Sequence, residues 1–329
     1  MEEKTAEKKQ EARLIVASSP HLRAADSVPG IMHTVVMALF PAVAASVYFF
    51  GLRALLLIVV AVASCLLAEY AVQKKRNKPV TIYDGSAIIT GMLIGLMLPA
   101  GFPLFGAFLG SVFAIVAGKQ LFGGLGFNIF NPALLGRAFL QATYPVLITT
   151  WLAPRTLQKA VDAVSAATPL ALWKFEAKAV PLADLFFGNV AGSLGETSVI
   201  AILIGGLYLR WKGYINWKLP LGYLGSMAVL SGIFWLYDPS RFAGPLFHLF
   251  AGGAMLGAWF MVTDPVTSPV TPLGQWIFAV CGGVIAVIIR LFGGLPEGVM
   301  YSILFMNALV PLINRHTRPK IFGEGRKKE

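Results

Sequence analysis

Long stretches of this chain carry almost no charge, and that absence limits the fold more than any motif does. A helix that crosses a hydrocarbon layer of ~30 Å needs about 20 mostly apolar residues. Blocks of this kind recur at 31–50, 53–73, 85–100, 103–119, 133–152, 197–211, 219–237, 245–264, 274–292 and 297–314. Of the 329 residues, 57% are hydrophobic and 13% charged, about half the charged share of soluble domains. Polar surface is too scarce to cover a soluble core of this size. The expected fold is an all-α polytopic membrane protein of about ten transmembrane helices. The blocks around Pro99 and Pro265–Pro269 are expected to be broken helices rather than straight rods.

The net charge of +11 does not point to nucleic acid, because the basic residues lie in short clusters between apolar blocks and so report topology and contact with membrane lipid. One side collects Lys4, Lys8, Lys9, Arg13, Arg23, "KKRNK" at 74–78, Lys119, Arg210, Lys212, Lys218 and the tail from Arg315. The other holds Arg53, Arg155, Lys159, Lys174, Lys178, Arg241 and Arg290. This asymmetry places both termini in the cytoplasm. It divides the chain into a cytoplasmic tail (1–30), a first membrane half (31–152), an extracytoplasmic loop (153–195), a second membrane half (196–314) and a basic cytoplasmic tail (315–329). The first segment lacks a short apolar core with a cleavage site and reads as a tail, not a signal peptide. Cys65 and Cys281 sit inside apolar blocks without a CxxC partner, so a disulfide or metal site is not expected.

"LFGGL" occurs at 121–125 and again at 291–295. At the same offset Pro99 falls on Pro269, and Pro103 matches Pro272 with one residue deleted. Two halves of five spans have opposite topologies because five is odd. Such inverted repeats place a special site where half-helices end near the bilayer midplane. A chance match between Gly- and Pro-rich segments is the alternative.

Several polar residues stand out against this background. "GKQLFGGLGFNIFNPALLGRAF" (118–139) brings Asn128, Asn131 and Arg137 beside apolar spans. It suits either a cofactor edge or a tight structural turn. Asp264, in "VTDPVTSPVTP" with Thr263 and Thr267, offers a carboxylate and hydroxyls to an ion path or caps a helix end. Asp84 is a further ion-path candidate; it and Glu69 lie near the basic inner surface, where salt bridges to "KKRNK" also account for them. His33 and His248 are isolated, without a second imidazole or carboxylate at ligand spacing, so haem or zinc ligation is not expected. Tyr48, Tyr144, Trp151, Trp211, Trp217, Trp235 and Tyr237 near span ends read as an interfacial belt.

"DAVSAATPL" (162–170) falls in the extracytoplasmic loop and fits the pattern D-x-x-[ST]-x-A-T, at which a flavin transferase links FMN through its phosphate to threonine. Together with "DGSAIITGMLIGLMLP", "GGLGFNIFNPALLGRAF" and "TDPVTSP", it resembles the D subunit of the Rnf complex, a ferredoxin:NAD oxidoreductase. The likeness extends to the B subunit of the sodium-pumping NADH:quinone reductase and runs from about residue 20 to 315. The resemblance implies covalent FMN on Thr168, with Asp162, Ser165 and Ala167 completing the recognised pattern, and a second, non-covalent riboflavin or FMN. It implies two inverted five-helix repeats of urea-transporter-like fold in the cell (inner) membrane. It also implies partners: the FMN-carrying G subunit, the membrane A and E subunits, the cytoplasmic C subunit and the flavin transferase, with Na+ or H+ as coupling ion. The competing readings are an ordinary helix cap at Ser165 and a small-solute channel of the same fold without a redox role. An independent dehydrogenase is not expected, since no GxGxxG follows a strand; the chain reads as one subunit of an oxidoreductase, with no catalytic residue of its own.

Overall fold

A computed structural model describes residues 26–154 and 166–319; Asp162, Ser165, most of the N-terminal tail and the last ten residues lie outside the described residues. Among the described residues the regular structure is helical, apart from one isolated antiparallel bridge between Pro99 and Ser193. Four of the described helices are long and apolar enough to cross a membrane: α1 (Val28–Phe50), α2 (Leu52–Lys75), α10 (Lys218–Tyr237) and α13 (Pro272–Phe292). Ser27 starts α1 by accepting the Gly30 N–H at 3.2 Å, with Pro29 in the first turn where no N–H is required. Gly51 alone separates α1 from α2, at φ +80°, a conformation that side chains resist.

The remaining apolar blocks are shorter or interrupted. Helix α3 (Ser86–Met97) has 12 residues, which gives a length of about 18 Å. Helix α4 (Leu104–Ile115) runs into a π-helical turn at Val116–Gln120. The block 133–152, expected as one span, breaks into α5 (Pro132–Thr143) and α6 (Pro145–Thr149). The break is at Tyr144, because the following proline disfavours helical geometry there and lacks an N–H. The loop 153–195 holds two short helices, α7 (Pro169–Glu176) and α8 (Leu182–Phe187). Helix α9 (Val199–Trp211) follows. The block 245–264 divides into α11 (Pro245–Phe250), α12 (Ala254–Leu256) and a π-helical turn at Gly257–Met261, and α14 (Val299–His316) closes the fold.

A helix that stops inside a membrane leaves carbonyls without water, and each must find a partner. At the end of α3, the chain before α9 doubles back and supplies them: the Gly195 N–H donates to Leu96 O at 2.7 Å and the Leu194 N–H to Leu98 O at 3.1 Å. Small residues let α3 lie against α2. A Cβ on Gly91 would come 2.5 Å from Val62 Cα, and one on Gly95 would come 2.8 Å from Ile58 Cα, so the pair acts as a small-xxx-small contact face. Apolar side chains such as Met37, Phe40, Leu67, Val229 and Leu236 point outward, while Glu69, Lys119, Arg137, Arg290 and Asn307 are buried. The outer surface is thus apolar, as a lipid surround demands, and these buried polar groups find partners inside an otherwise apolar core.

The two "LFGGL" segments share a setting. Lys119 and Gln120, just before the first, reach Glu69 at 2.7 and 2.8 Å, and Lys119 also donates to Ser86 Oγ, the first residue of α3, at 2.6 Å. Arg290, just before the second, donates to the carbonyls of His248 and Ala251, ahead of α12. In both places a side chain from the end of one helix braces the start of a short one.

The expected pairing of Glu69 and Asp84 with "KKRNK" is corrected by this arrangement. Glu69 is fully buried on the inner face of α2 and pairs with Lys119. Asp84 instead accepts the Ser86 N–H at 2.8 Å. The basic cluster turns to backbone carbonyls, Arg76 to Gln120 O at 2.6 Å and Lys78 to Gly123 O at 3.4 Å. Removing one partner of a buried ion pair costs about 3–5 kcal/mol, whereas replacing both with apolar groups is close to neutral. Lys119→Met should therefore lower the thermal unfolding midpoint sharply, and adding Glu69→Met should recover most of the loss; an equal or larger loss in the double variant would contradict the pairing.

Candidate functional site

The threonine of "DAVSAATPL" is the N-cap of α7. Thr168 has extended backbone (φ −67°, ψ 155°), its Oγ1 accepts the Ala171 N–H at 3.3 Å, and Pro169 occupies the first helical position. Thr168 is thus a helix cap, whereas the cap expected at Ser165 lies outside the described residues. Capping uses an oxygen lone pair and does not consume the O–H bond. Ala167 is exposed and Ala166 half-buried, and the Ala166 N–H donates to Trp151 O at 3.0 Å.

Thr168 lies on the wall of a cavity of about 410 Å³, within the range of small-molecule sites. Trp151, Ile148, Leu170, Phe175 and Phe250 give it an apolar lining, and Gln141, Arg137, Glu196, Glu297 and Tyr301 supply the polar groups. A flat, largely apolar ring with a polar edge suits this lining.

Behind the wall, Arg137 is 5% exposed. Its Nη1 donates to Glu196 Oε1 and its Nη2 to Glu297 Oε2, each at 2.8 Å, and its Nε is buried without a partner. Glu297 Oε1 accepts the Gly253 N–H at 2.7 Å. Three segments meet here: α5, the turn before α9, and the turn between α13 and α14. Lys174 of α7 donates to Arg290 O at 2.8 Å and Leu295 O at 3.2 Å, and also to Gly293 O. Burial pushes its ammonium below the usual lysine range.

A second cavity, of about 110 Å³, is lined by Asn128, Asn131, Thr263, Asp264, Lys119 and Trp259, among others. The Trp259 indole N–H has no partner. Asn131 caps α5 by accepting the Ala133 N–H at 3.0 Å, and Asn128 donates to Phe130 O at 3.2 Å. Asp264 accepts the Val266 N–H at 3.1 Å and the Thr267 hydroxyl at 3.0 Å, the geometry of a turn cap. Asp84 and Thr267 are not on the lining; Asp84 connects to it through Ser86.

The sequence-derived residues are thus regrouped. Arg137 stands with Thr168, while Asn128 and Asn131 stand with Asp264 and Thr263. Helix α5 joins the two groups, since Asn131 and Arg137 are six residues apart, a rise of about 9 Å. Sequence reasoning misses Glu196 and Glu297, because each reads as an isolated acid in a Gly-rich turn. The signal that could have found them is Arg137 itself, since a guanidinium inside an apolar helix calls for a counter-charge.

A family model described as the NQR2, RnfD, RnfE family matches residues 15–323. The D subunit of a Na(+)-translocating ferredoxin:NAD(+) oxidoreductase complex of Acetobacterium woodii is 47% identical over 318 residues, 95% of this chain and 96% of the relative. The proton-translocating counterpart of Clostridium ljungdahlii is 45% identical over 324 residues, covering 94% and 96%. The D subunit of an ion-translocating oxidoreductase complex of Yersinia pseudotuberculosis is 38% identical over 343 residues, covering 94% and 98%. With the family model spanning almost the whole chain and these relatives matched nearly end to end, the chain belongs to the NQR2, RnfD, RnfE family, among the D subunits of Rnf complexes.

Proposed function

We propose that this chain is the membrane subunit of an ion-translocating ferredoxin:NAD oxidoreductase complex and that it carries FMN as a phosphoester on Thr168, with the ring in the 410 Å³ cavity. The position of the Thr168 hydroxyl on the wall of a cavity of that size, beside two alanines, carries the reading. When bound, FMN supplies one- and two-electron redox chemistry. The chain's part is to fix the attachment point through α7, to cover the ring with Trp151 and Phe250, and to present Arg137 and Gln141 as donors. Arg137, Glu196 and Glu297, a salt-bridged triad on the cavity lining, favour a binding site over an open solute channel.

The remaining parts of the reading rest on chain chemistry and relatives. The lysine and arginine asymmetry supports cytoplasmic termini, an extracytoplasmic Thr168 and two inverted halves in the cell membrane. The partners are the G, A, E and C subunits, with a flavin transferase for maturation. The smaller cavity suits a few waters or an ion, since ligand sites ordinarily start near 300 Å³; a second, non-covalent flavin does not fit it in this form. Asp264, Thr263 and the residues around them are the ion-path candidates. The coupling ion, Na+ or H+, is a choice that relatives of nearly equal identity make differently in their names.

Two outcomes test this reading. Thr168→Val should abolish in-gel flavin fluorescence of the denatured chain while membrane insertion persists; fluorescence surviving in that variant removes the assignment. Asp264→Asn keeps the turn-cap shape and deletes the charge, since Asn caps about as well as Asp. It should weaken the ion dependence of electron transfer in the whole complex several-fold with Thr168 still flavinylated, and an unchanged ion response at normal turnover would leave Asp264 as a cap.

A further inference from the structure

The buried triad has more order than an ion pair needs. Arg137 splits its two terminal nitrogens between Glu196 and Glu297 instead of holding one carboxylate through both. The two acids converge: a Cβ placed on Gly253 would lie 2.7 Å from an Oε1 of each. Glycine at 253 is what lets both carboxylates crowd the start of α12. The two differ in access, for the Glu297 side chain is 21% exposed and the Glu196 side chain 6%, and both face the cavity beside Thr168. Two carboxylates sharing one site resist carrying two negative charges, and the pair gains a proton more readily than either alone.

The surrounding charged and titratable groups leave this property intact. Arg290 of α13 spends both terminal nitrogens on backbone carbonyls, as Lys174 of α7 does its ammonium. Tyr223 of α10 is bonded to Ser302 at 2.9 Å. His248 of α11 is buried with neither ring nitrogen partnered, and Tyr301 of α14 lies on the cavity wall. Arg137 alone pairs directly with the two acids. An electron added to a ring in the cavity places a further negative charge beside both carboxylates, which favours protonation of one of them.

We propose that Glu196 and Glu297, held by Arg137, form a proton-exchange site that follows the redox state of the group attached at Thr168. The site rests on the flavin reading above. When the attached group takes up an electron from an electron-donating subunit of the complex, a hydronium ion at the mouth of the cavity would give its proton to a carboxylate oxygen of the more accessible Glu297, its own O–H bond breaking to leave water as the carboxylic O–H bond forms. When the electron leaves for an acceptor subunit, that carboxylic O–H bond would break and the proton return to water. Arg137 is a positioning residue that keeps the two acids together.

The test is the redox-induced infrared difference spectrum of the purified whole complex, recorded in H2O and D2O. The wild type should show a carboxylic acid C=O band that appears on reduction and shifts in D2O. That band should be lost in Glu297→Gln, in Glu196→Gln and in Thr168→Val, and retained in Asp184→Asn, which changes an acid of α8 away from the cavity. A wild-type complex without the band overturns the site, as does a band that persists in both Gln variants. The wild-type measurement stands even where a Gln variant fails to assemble. In-gel fluorescence of the wild type separates the two levels: no covalent flavin refutes the flavin reading, whereas flavin present without the band refutes the proton site alone.

Discussion

Inside a membrane a polar group has no water to fall back on, and the interior of this protein follows from that constraint. Each short helix leaves backbone groups unsatisfied, and each charge away from the surface needs a counter-charge. The structure meets both demands with backbone and side-chain groups from distant segments. Lys119 reaches Glu69 across 50 positions and Arg137 reaches Glu297 across 160. Such contacts cannot be made by one helix hairpin on its own, so the helices assemble around them. The apolar outer faces, in contrast, impose little on neighbouring helices, because lipid is as apolar as they are.

The same constraint separates two polar regions along α5. Near its start, Asn131 caps the helix and the Asn307 side chain accepts the Asn131 N–H at 3.2 Å, tying the first half of the chain to the second. One and a half turns later, Arg137 ties the helix to the turns before α9 and α14. Helix α5 thus contributes lining residues to both the small cavity and the large one.

Much of this is legible in the sequence, and the reasons differ by element. The apolar blocks locate every long helix, because spanning length and low charge are local properties. Interruption is legible where prolines cluster, as around Pro265, but the single Pro145 leaves the apolar block looking continuous across α5 and α6. Glu69 is drawn to the wrong partner because proximity along the chain favours "KKRNK", while the helix faces inward at Glu69 and brings Lys119 opposite. Thr168 stands out because the pattern around it is contiguous along the chain. Glu196 and Glu297 do not stand out, because their meaning arises only when three remote segments converge on one guanidinium.

Lys174 sets how far anything borne by Thr168 can travel. Its ammonium sits six residues beyond the threonine and is fastened to the carbonyls of Arg290 and Leu295, so α7 is moored at the end opposite its cap. On the flavin reading proposed above, a group esterified to Thr168 would have only its own few bonds of tether and would not act as a swinging arm. Partner subunits would then have to dock against the mouth of the cavity to exchange electrons with it.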